Sequence, residues 1–142
     1  KNKFFNCGCS EFNNKNKAVL SGSGDYSIFK DLVDKKFFDW YLKKQIEAKK
    51  ILHENEIELR TLNSILIESK APKIIDFFSL DVEGMEMNVL NGINFDSYSF
   101  KFLLVECTDK TKYEEVSKFL ITKNYKHVDS LTPWDCLFKF NQ

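Results

Sequence analysis

The sequence has no excess of charge, few helix breakers and no long apolar run. Its 21 Lys and Arg residues balance 21 Asp and Glu residues, and only 2 prolines and 5 glycines occur. A neutral chain gives no electrostatic reason to expect nucleic acid or an acidic membrane as a partner. No apolar run approaches the ~20 residues of a membrane span, and no signal-peptide pattern is present. These absences favour a cytoplasmic protein.

Cysteine is scarce as well. The four cysteines lie in or beside apolar, strand-like runs: Cys7, Cys9, Cys107 and Cys136. This placement favours reduced thiols in the core of a cytosolic protein. The alternative is that Cys7-x-Cys9 forms half of a zinc site. Structural zinc sites prefer C-x₂₋₄-C pairs, and the other two cysteines are isolated, so we expect no bound metal at the cysteines.

The chain is long enough for one domain with a real core. It has 142 residues, of which 15% are aromatic, including 14 Phe. A chain of this length buries about two thirds of the surface that it exposes when unfolded. We therefore expect residues 1–142 to form a single domain with bulky side chains inside.

The N-terminal part predicts short strands separated by polar turns. Phe4 to Phe12 has the pattern of a strand, residues 13–17 that of a turn, and Ala18 to Leu20 that of a second, short strand. Ser21-Gly22-Ser23-Gly24-Asp25 follows, with the order strand, Gly-x-Gly, helix of a dinucleotide-binding loop. The third glycine is replaced by Ser27, and no strand ending in an acid follows about 20 residues on. A mobile surface loop is therefore the preferred interpretation.

A long helix is predicted from Ser27 to about Leu52. Its apolar side chains fall on one stripe, comprising Phe29, Val33, Phe37, Trp40 and Tyr41. A short strand is expected at Glu56 to Leu59. Thr61 then has the position of an N-cap for a further helix that ends before Ala71-Pro72.

Residues 74–80 are typical of a buried strand. The run Ile74 to Leu80 is apolar except for Asp76 and Ser79, which favours a central strand of a parallel sheet that is covered on both faces. A short helix from Met85 to Asn91 follows, and Gly92 stands where a left-handed C-cap is expected.

The C-terminal part predicts a second parallel strand and then a hairpin. Phe102 to Cys107 completes a βαβ unit. Thr111-x-x-Glu114 has the pattern of a capping box for a helix that ends near Asn124. Tyr125 to Leu131 and Cys136 to Phe140 are separated by too few residues for a parallel crossover, so they must pair antiparallel. The predicted fold is three-layer α/β, with a mostly parallel sheet and an antiparallel terminal strand.

Four carboxylates are expected at one edge of this sheet. Asp81, Glu83 and Glu86 directly follow one strand, and Glu106 ends the next. Parallel strands point their carboxyl ends to one side, where ligands of such sheets bind. Acids at a helix N-terminus meet free N–H groups that favour the ionised form. We therefore expect them to orient a hydroxyl or to hold a cation such as Mg²⁺ rather than to accept a proton. The alternative is a structural role, with Glu83 and Glu86 capping the helix.

The motifs resemble those of the FkbM family of S-adenosylmethionine-dependent methyltransferases. The resemblance is carried by Thr61-Leu62-Asn63, by I-D-F-F-S-L-D-V-E-G-M-E-M-N-V-L-N-G at residues 75–92, and by Leu104-Val105-Glu106. It covers residues 57–142, and residues 1–20 look like the family's third-strand region. Asn63 stands where the family usually has Asp.

The resemblance implies a Rossmann-like class I fold, S-adenosylmethionine as cofactor and methyl transfer to a hydroxyl of a small molecule or saccharide. It implies catalytic roles for Asp81, Glu83, Glu86 and Glu106, and cofactor contacts for Ser10 and Asp81. The glycine-rich loop and the ribose-binding acid of such enzymes would precede Lys1. We therefore expect an N-terminally incomplete domain that binds the cofactor weakly or not at all.

A second hypothesis keeps the fold without the chemistry. A half-sheet exposes an unpaired edge, and such edges recruit partners. In this alternative the chain is a non-catalytic α/β module that pairs with another chain or self-associates through that edge.

Overall fold

The computed structural model describes residues 2–23 and 26–141. Four helices are formed in these ranges, α1 (Lys35–Glu47), α2 (Leu62–Ser69), α3 (Glu86–Asn91) and α4 (Lys110–Thr122). The strands are β1 (Gly8–Cys9), β2 (Asn14–Ser23), β3 (Tyr26–Phe29), β4 (His53–Arg60), β5 (Ile74–Leu80), β6 (Ser99–Glu106), β7 (Tyr125–Ser130) and β8 (Asp135–Phe140).

The strands form two mixed sheets, which confirms the α/β class. The first has the order β1-β4-β2-β3 and the second β5-β6-β8-β7. Only β1–β4 and β5–β6 are parallel among the strand pairs of the described ranges, so the prediction of one mostly parallel sheet is wrong. The predicted βαβ unit and terminal antiparallel hairpin are confirmed. Short connections make the β2–β3 and β7–β8 pairs antiparallel.

The main core lies between the second sheet and three helices. Buried residues of β5, β6 and β8 pack in one cluster with residues of α2, α3 and α4. Leu103, Val105 and Leu120 are fully buried at its centre. A smaller cluster around Phe29, Leu59 and Met85 joins the first sheet to the turn that follows β5.

Strand β5 occupies an edge of the second sheet rather than its centre. Ile74 is 56% exposed and Phe77 53% exposed, so the expectation of a strand covered on both faces is wrong. The apolar run is explained differently. Phe78 and Leu80 pack into the core, whereas Ile74 and Phe77, which point to opposite faces of the strand, are each more than half exposed.

The N-terminal third differs most from the sequence predictions. Only Gly8–Cys9 of the predicted Phe4–Phe12 strand is extended, and residues 14–17, predicted as a turn, belong to β2. Residues 21–23, predicted as a surface loop, complete that strand, while Gly24 and Asp25 lie outside the described residues. The predicted 27–52 helix is shorter, because residues 27–29 pair with β2 and the helical turns begin only at Lys35.

Helix ends were predicted with mixed success. Thr61 caps α2, accepting a hydrogen bond from the backbone N–H of Ser64 at 3.1 Å, as expected. Helix α4 is capped by Asp109, which accepts from the backbone N–H of Lys112 at 2.9 Å, so Thr111 lies inside the first turn and not at the cap. The predicted left-handed cap at Gly92 is wrong, since its φ is −79°.

Candidate functional site

The carboxyl ends of β5 and β6 bring the predicted acids together. Leu80 pairs with Val105 in the parallel β5–β6 ladder, so Asp81 and Glu106 follow side by side. Asp135, at the start of β8, is the antiparallel partner of Glu106. The structure therefore places Asp81, Glu83, Glu86 and Glu106 at one rim and adds Asp135, which interacts electrostatically with Glu106. Sequence reasoning missed Asp135, because the pairing of β8 with β6 decides its position.

The turn between β5 and α3 is held by one of these acids. Glu83 and Gly84 both have left-handed backbones, with φ of 52° and 92°. The Glu86 carboxylate accepts hydrogen bonds from the backbone N–H groups of Val82 at 3.2 Å and Gly84 at 3.1 Å, and Glu86 is only 2% exposed. Two hydrogen bonds from backbone N–H groups to this buried carboxylate hold the turn in place. The placement therefore suits a positioning role for Glu86.

Two carboxyl groups in the rim have strongly perturbed acidity. Burial, followed by the charges of Asp81 and Glu86, raises the pKa of Glu83 to about 7. Burial and then the surrounding acids raise the pKa of Glu106 to about 7, and its Oε2 is buried with no partner among the described residues. The raised pKa of Glu83 runs against the expectation that acids at the helix N-terminus stay ionised, because burial favours the neutral form.

These shifts predict that stability falls as the pH rises. Between the ordinary pKa of 4.5 and the folded value of about 7, the native state binds more protons than the unfolded chain. Stability therefore decreases across this window and stays low above it. After allowance for partial exposure, we expect Glu106→Gln to add about 1–2 kcal/mol to the free energy of unfolding near pH ~8 and little near pH ~5.

Urea denaturation at both pH values measures this effect. Glu115→Gln, an exposed position on α4, is the matched control and should change stability at neither pH. If Glu106→Gln raised the free energy of unfolding equally at both pH values, ionisation of Glu106 would not be the cause of the increase.

A cavity of about 440 Å³ lies beside the acidic turn. Asp81, Val82, Glu83 and Met85 form one wall, and residues of β1, β2, β3 and β4 form the other. No lysine, arginine or histidine of the described ranges lines it. The cavity therefore suits a neutral hydroxyl-bearing or cationic ligand better than an anion.

Helix α1 closes over this site from the N-terminal side. The ring of Phe37 lies 3.1 Å from where a side chain at Gly84 would begin. Tyr41 is buried, donates its hydroxyl hydrogen bond to the Ser21 carbonyl at 3.2 Å, and has its pKa raised by burial and by the charge of Glu83. The only sequence signal for the packing of α1 against the acidic turn was the apolar stripe of the predicted helix. The stripe did not indicate which part of the protein the helix would contact.

Ser10, the other predicted cofactor contact, lies just outside the cavity lining. It is fully buried, its N–H donates to the Arg60 carbonyl at 2.9 Å, and its Oγ has no partner among the described residues. Cys7 and Cys9 do line the cavity. Burial raises the pKa of both thiols, that of Cys9 to about 11, so neither is a nucleophile at neutral pH.

The described residues contain no group of three or more His, Cys, Asp and Glu side chains arranged to hold a metal ion. The five acids of the rim are therefore not arranged as a set of metal ligands. All four cysteines are free thiols.

Fold and site together define an α/β protein with titratable groups and a cavity at the carboxyl end of two parallel strands. The family model described as Methyltransferase FkbM domain matches residues 2–140, and the chain belongs to this family. The match includes the N-terminal strands as well as the motifs between Thr61 and Glu106. No curated protein and no solved structure matches the chain significantly. Within the described ranges, every helix is too short or too polar to cross a membrane.

Proposed function

We propose that this chain is the substrate-side half of an S-adenosylmethionine-dependent O-methyltransferase that acts in the cytoplasm on a small molecule or saccharide. The observation that carries the proposal is Glu83. It lines the cavity at the end of β5, and burial raises its pKa to about 7. A base with a pKa near the working pH is the most effective proton acceptor.

The proposed chemistry begins with a hydroxyl of the acceptor in the cavity. One carboxylate oxygen of Glu83 takes the hydroxyl proton as the oxygen forms its bond to the methyl carbon. When bound, S-adenosylmethionine would supply that methyl group from its positively charged sulfur, which keeps the electron pair of the broken C–S bond and leaves as a neutral thioether. Asp81 is exposed at the same rim, and its negative charge suits the methionine portion of the cofactor. Glu106 shares the rim and assists in orienting the acceptor.

The cofactor's adenosine has no evident site in the described ranges. The one Gly-x-Gly segment connects β2 to β3 and not a strand to a helix, so it lacks the strand–loop–helix context of a nucleotide-binding glycine loop. We infer that a glycine-rich loop and a strand-ending acid are supplied by polypeptide outside these residues. We propose that the described elements belong to a three-layer Rossmann-like fold.

Calorimetric titration of residues 1–142 with S-adenosylmethionine tests this division. We expect weak or no binding, because only the methionine side of the cofactor would be contacted. Tight binding would contradict it. The coding sequence upstream of the Lys1 codon gives the complementary test, and a glycine-rich loop followed by a strand-ending acid is the expected finding.

A second candidate function is favoured by one observation. Strand β5 is an edge strand with two large apolar side chains more than half exposed, and such edges recruit partners. In this alternative the chain is a non-catalytic module that pairs with another chain. Retained methyl transfer by the protein with its cofactor-binding half would exclude it.

A further inference from the structure

The cavity beside the acidic turn has two walls of different chemistry. Asp81 and Glu83 place carboxyl groups on one wall. The other wall, from the first sheet, carries the side chains of Leu20, Phe29 and Ile57. Phe29 belongs to the smaller core cluster, and the other two pack against it, so packing inside the protein holds this wall in place. A ligand in the cavity therefore meets hydrogen-bond acceptors on one side and hydrocarbon on the other.

The wall from the first sheet has few groups that can hydrogen-bond to a ligand. Besides the thiols of Cys7 and Cys9, the polar side chains of its described lining are those of Asn6 and Ser27. Thiols are only weak hydrogen-bond donors and acceptors. A hydroxyl that is buried without a partner lowers affinity by roughly fivefold or more. A saccharide carries hydroxyls around its whole ring, so it would bury several of them against hydrocarbon.

We propose that the methyl acceptor is a neutral molecule with one hydroxyl on an apolar body, such as an alicyclic or aromatic alcohol, and not a saccharide. Its hydroxyl lies at the acidic wall beside Glu83, and its apolar body packs against Leu20, Phe29 and Ile57. The volume of about 440 Å³ is that of a small-molecule site. This inference rests on the proposed function and narrows the class of its acceptor.

The acidity of Glu83 argues against a cationic acceptor. Burial raises the pKa of Glu83 to about 7, which suits a general base at neutral pH. A positive charge beside this carboxyl group would favour its ionised form and lower its pKa again. A neutral acceptor leaves the base in its working range.

Probes that share one carbon ring test the chemistry of the ligand. Cyclohexanol and inositol differ only in the number of hydroxyls, and cyclohexylamine is charged at neutral pH. Each is titrated into the 142-residue chain while backbone amide NMR signals are followed. We expect cyclohexanol to shift the signals of Gly8, Ile57 and Val82, which line the cavity, and to bind about tenfold or more tightly than either of the others. No saturable shift with cyclohexanol, or equal or tighter binding of inositol or cyclohexylamine, would overturn the proposal.

Variants of the apolar wall test the place of binding. Ile57→Thr keeps a β-branched side chain in its strand and should weaken cyclohexanol binding by about fivefold, because hydrocarbon contact is lost. Leu20→Thr makes the same test from a different strand, and the NMR spectra show whether each variant is folded. Ile46→Thr is the matched control, since Ile46 is 71% exposed on α1 and lies outside the cavity lining. Unchanged affinity in the folded wall variants would contradict the proposal.

The probe titrations need no cofactor, so their outcome is separate from that of methyl transfer. If the chain with its cofactor-binding half methylated a saccharide and cyclohexanol did not bind, the proposed function would stand and the acceptor class would be wrong. If cyclohexanol bound as expected and no alcohol were methylated, the proposed function would be wrong and the ligand chemistry of the cavity would stand.

Discussion

Glu83→Gln should lower kcat for methyl transfer by about 10²–10⁴-fold, the usual contribution of a general base. The amide cannot accept the hydroxyl proton, while its size and shape keep the cavity wall intact. The measurement requires the chain together with its cofactor-binding half, with transfer of a labelled methyl group followed under saturating acceptor. Because burial raises the pKa of Glu83 to about 7, the wild-type rate should rise with pH through this value, and the variant should lose that rise.

The backbone at Glu83 makes glutamine the right replacement. Its φ is 52°, in the left-handed region, and Glu and Gln share the same cost there, so a folding defect is not expected. Glu115→Gln serves as the activity control. Turnover by Glu83→Gln at the wild-type rate, with an unchanged pH profile, would reduce this residue to a structural part of the turn.

Gly92→Ala should destabilise the protein by about 3 kcal/mol, at the upper end for overpacking. A Cβ at this position would clash with the carbonyl oxygen of Ser10 and lie 3.3 Å from the Cα of Glu11. Both are backbone atoms, which cannot rotate away as a side chain can. The φ of −79° is one that alanine adopts freely, so the whole cost comes from forcing α3 and the segment after β1 apart.

Thermal or urea denaturation measures this loss, and Asn91→Ala is the control. Asn91 is exposed at the neighbouring position, so its replacement should change stability by less than about 0.5 kcal/mol. The displacement in Gly92→Ala should also move Ser10 and the cavity wall at Cys9. A variant as stable as wild type would mean that β1 and α3 separate without cost.

Local chemistry explains what the sequence predicted well. The strand at residues 74–80, the turn and the helix up to Asn91 were located correctly, because the apolar run, the acids and the glycines act within a few residues of one another. The same holds for the Thr61 cap and the terminal hairpin, whose short link leaves only an antiparallel connection.

Long-range pairing explains what the sequence did not predict. The first four residues of β2 and its last residue are polar. The strand nevertheless extends over Asn14–Ser23, because it pairs with both β3 and β4. Phe29 continues the helical spacing of the apolar residues in α1. Residues 27–29 nevertheless pair with β2 in the same sheet. Strand propensity depends on such neighbours more than on the residues themselves.

The sequence by itself determined that acids follow two successive strands and that these strands are parallel, since both facts depend on local pattern and on the length of the connection. Only the tertiary structure decided that β5 lies at an edge, that the first sheet forms one wall of the cavity, and that Asp135 joins the rim. It also decided the acidity of Glu83 and Glu106, because desolvation depends on atoms brought close from distant parts of the chain.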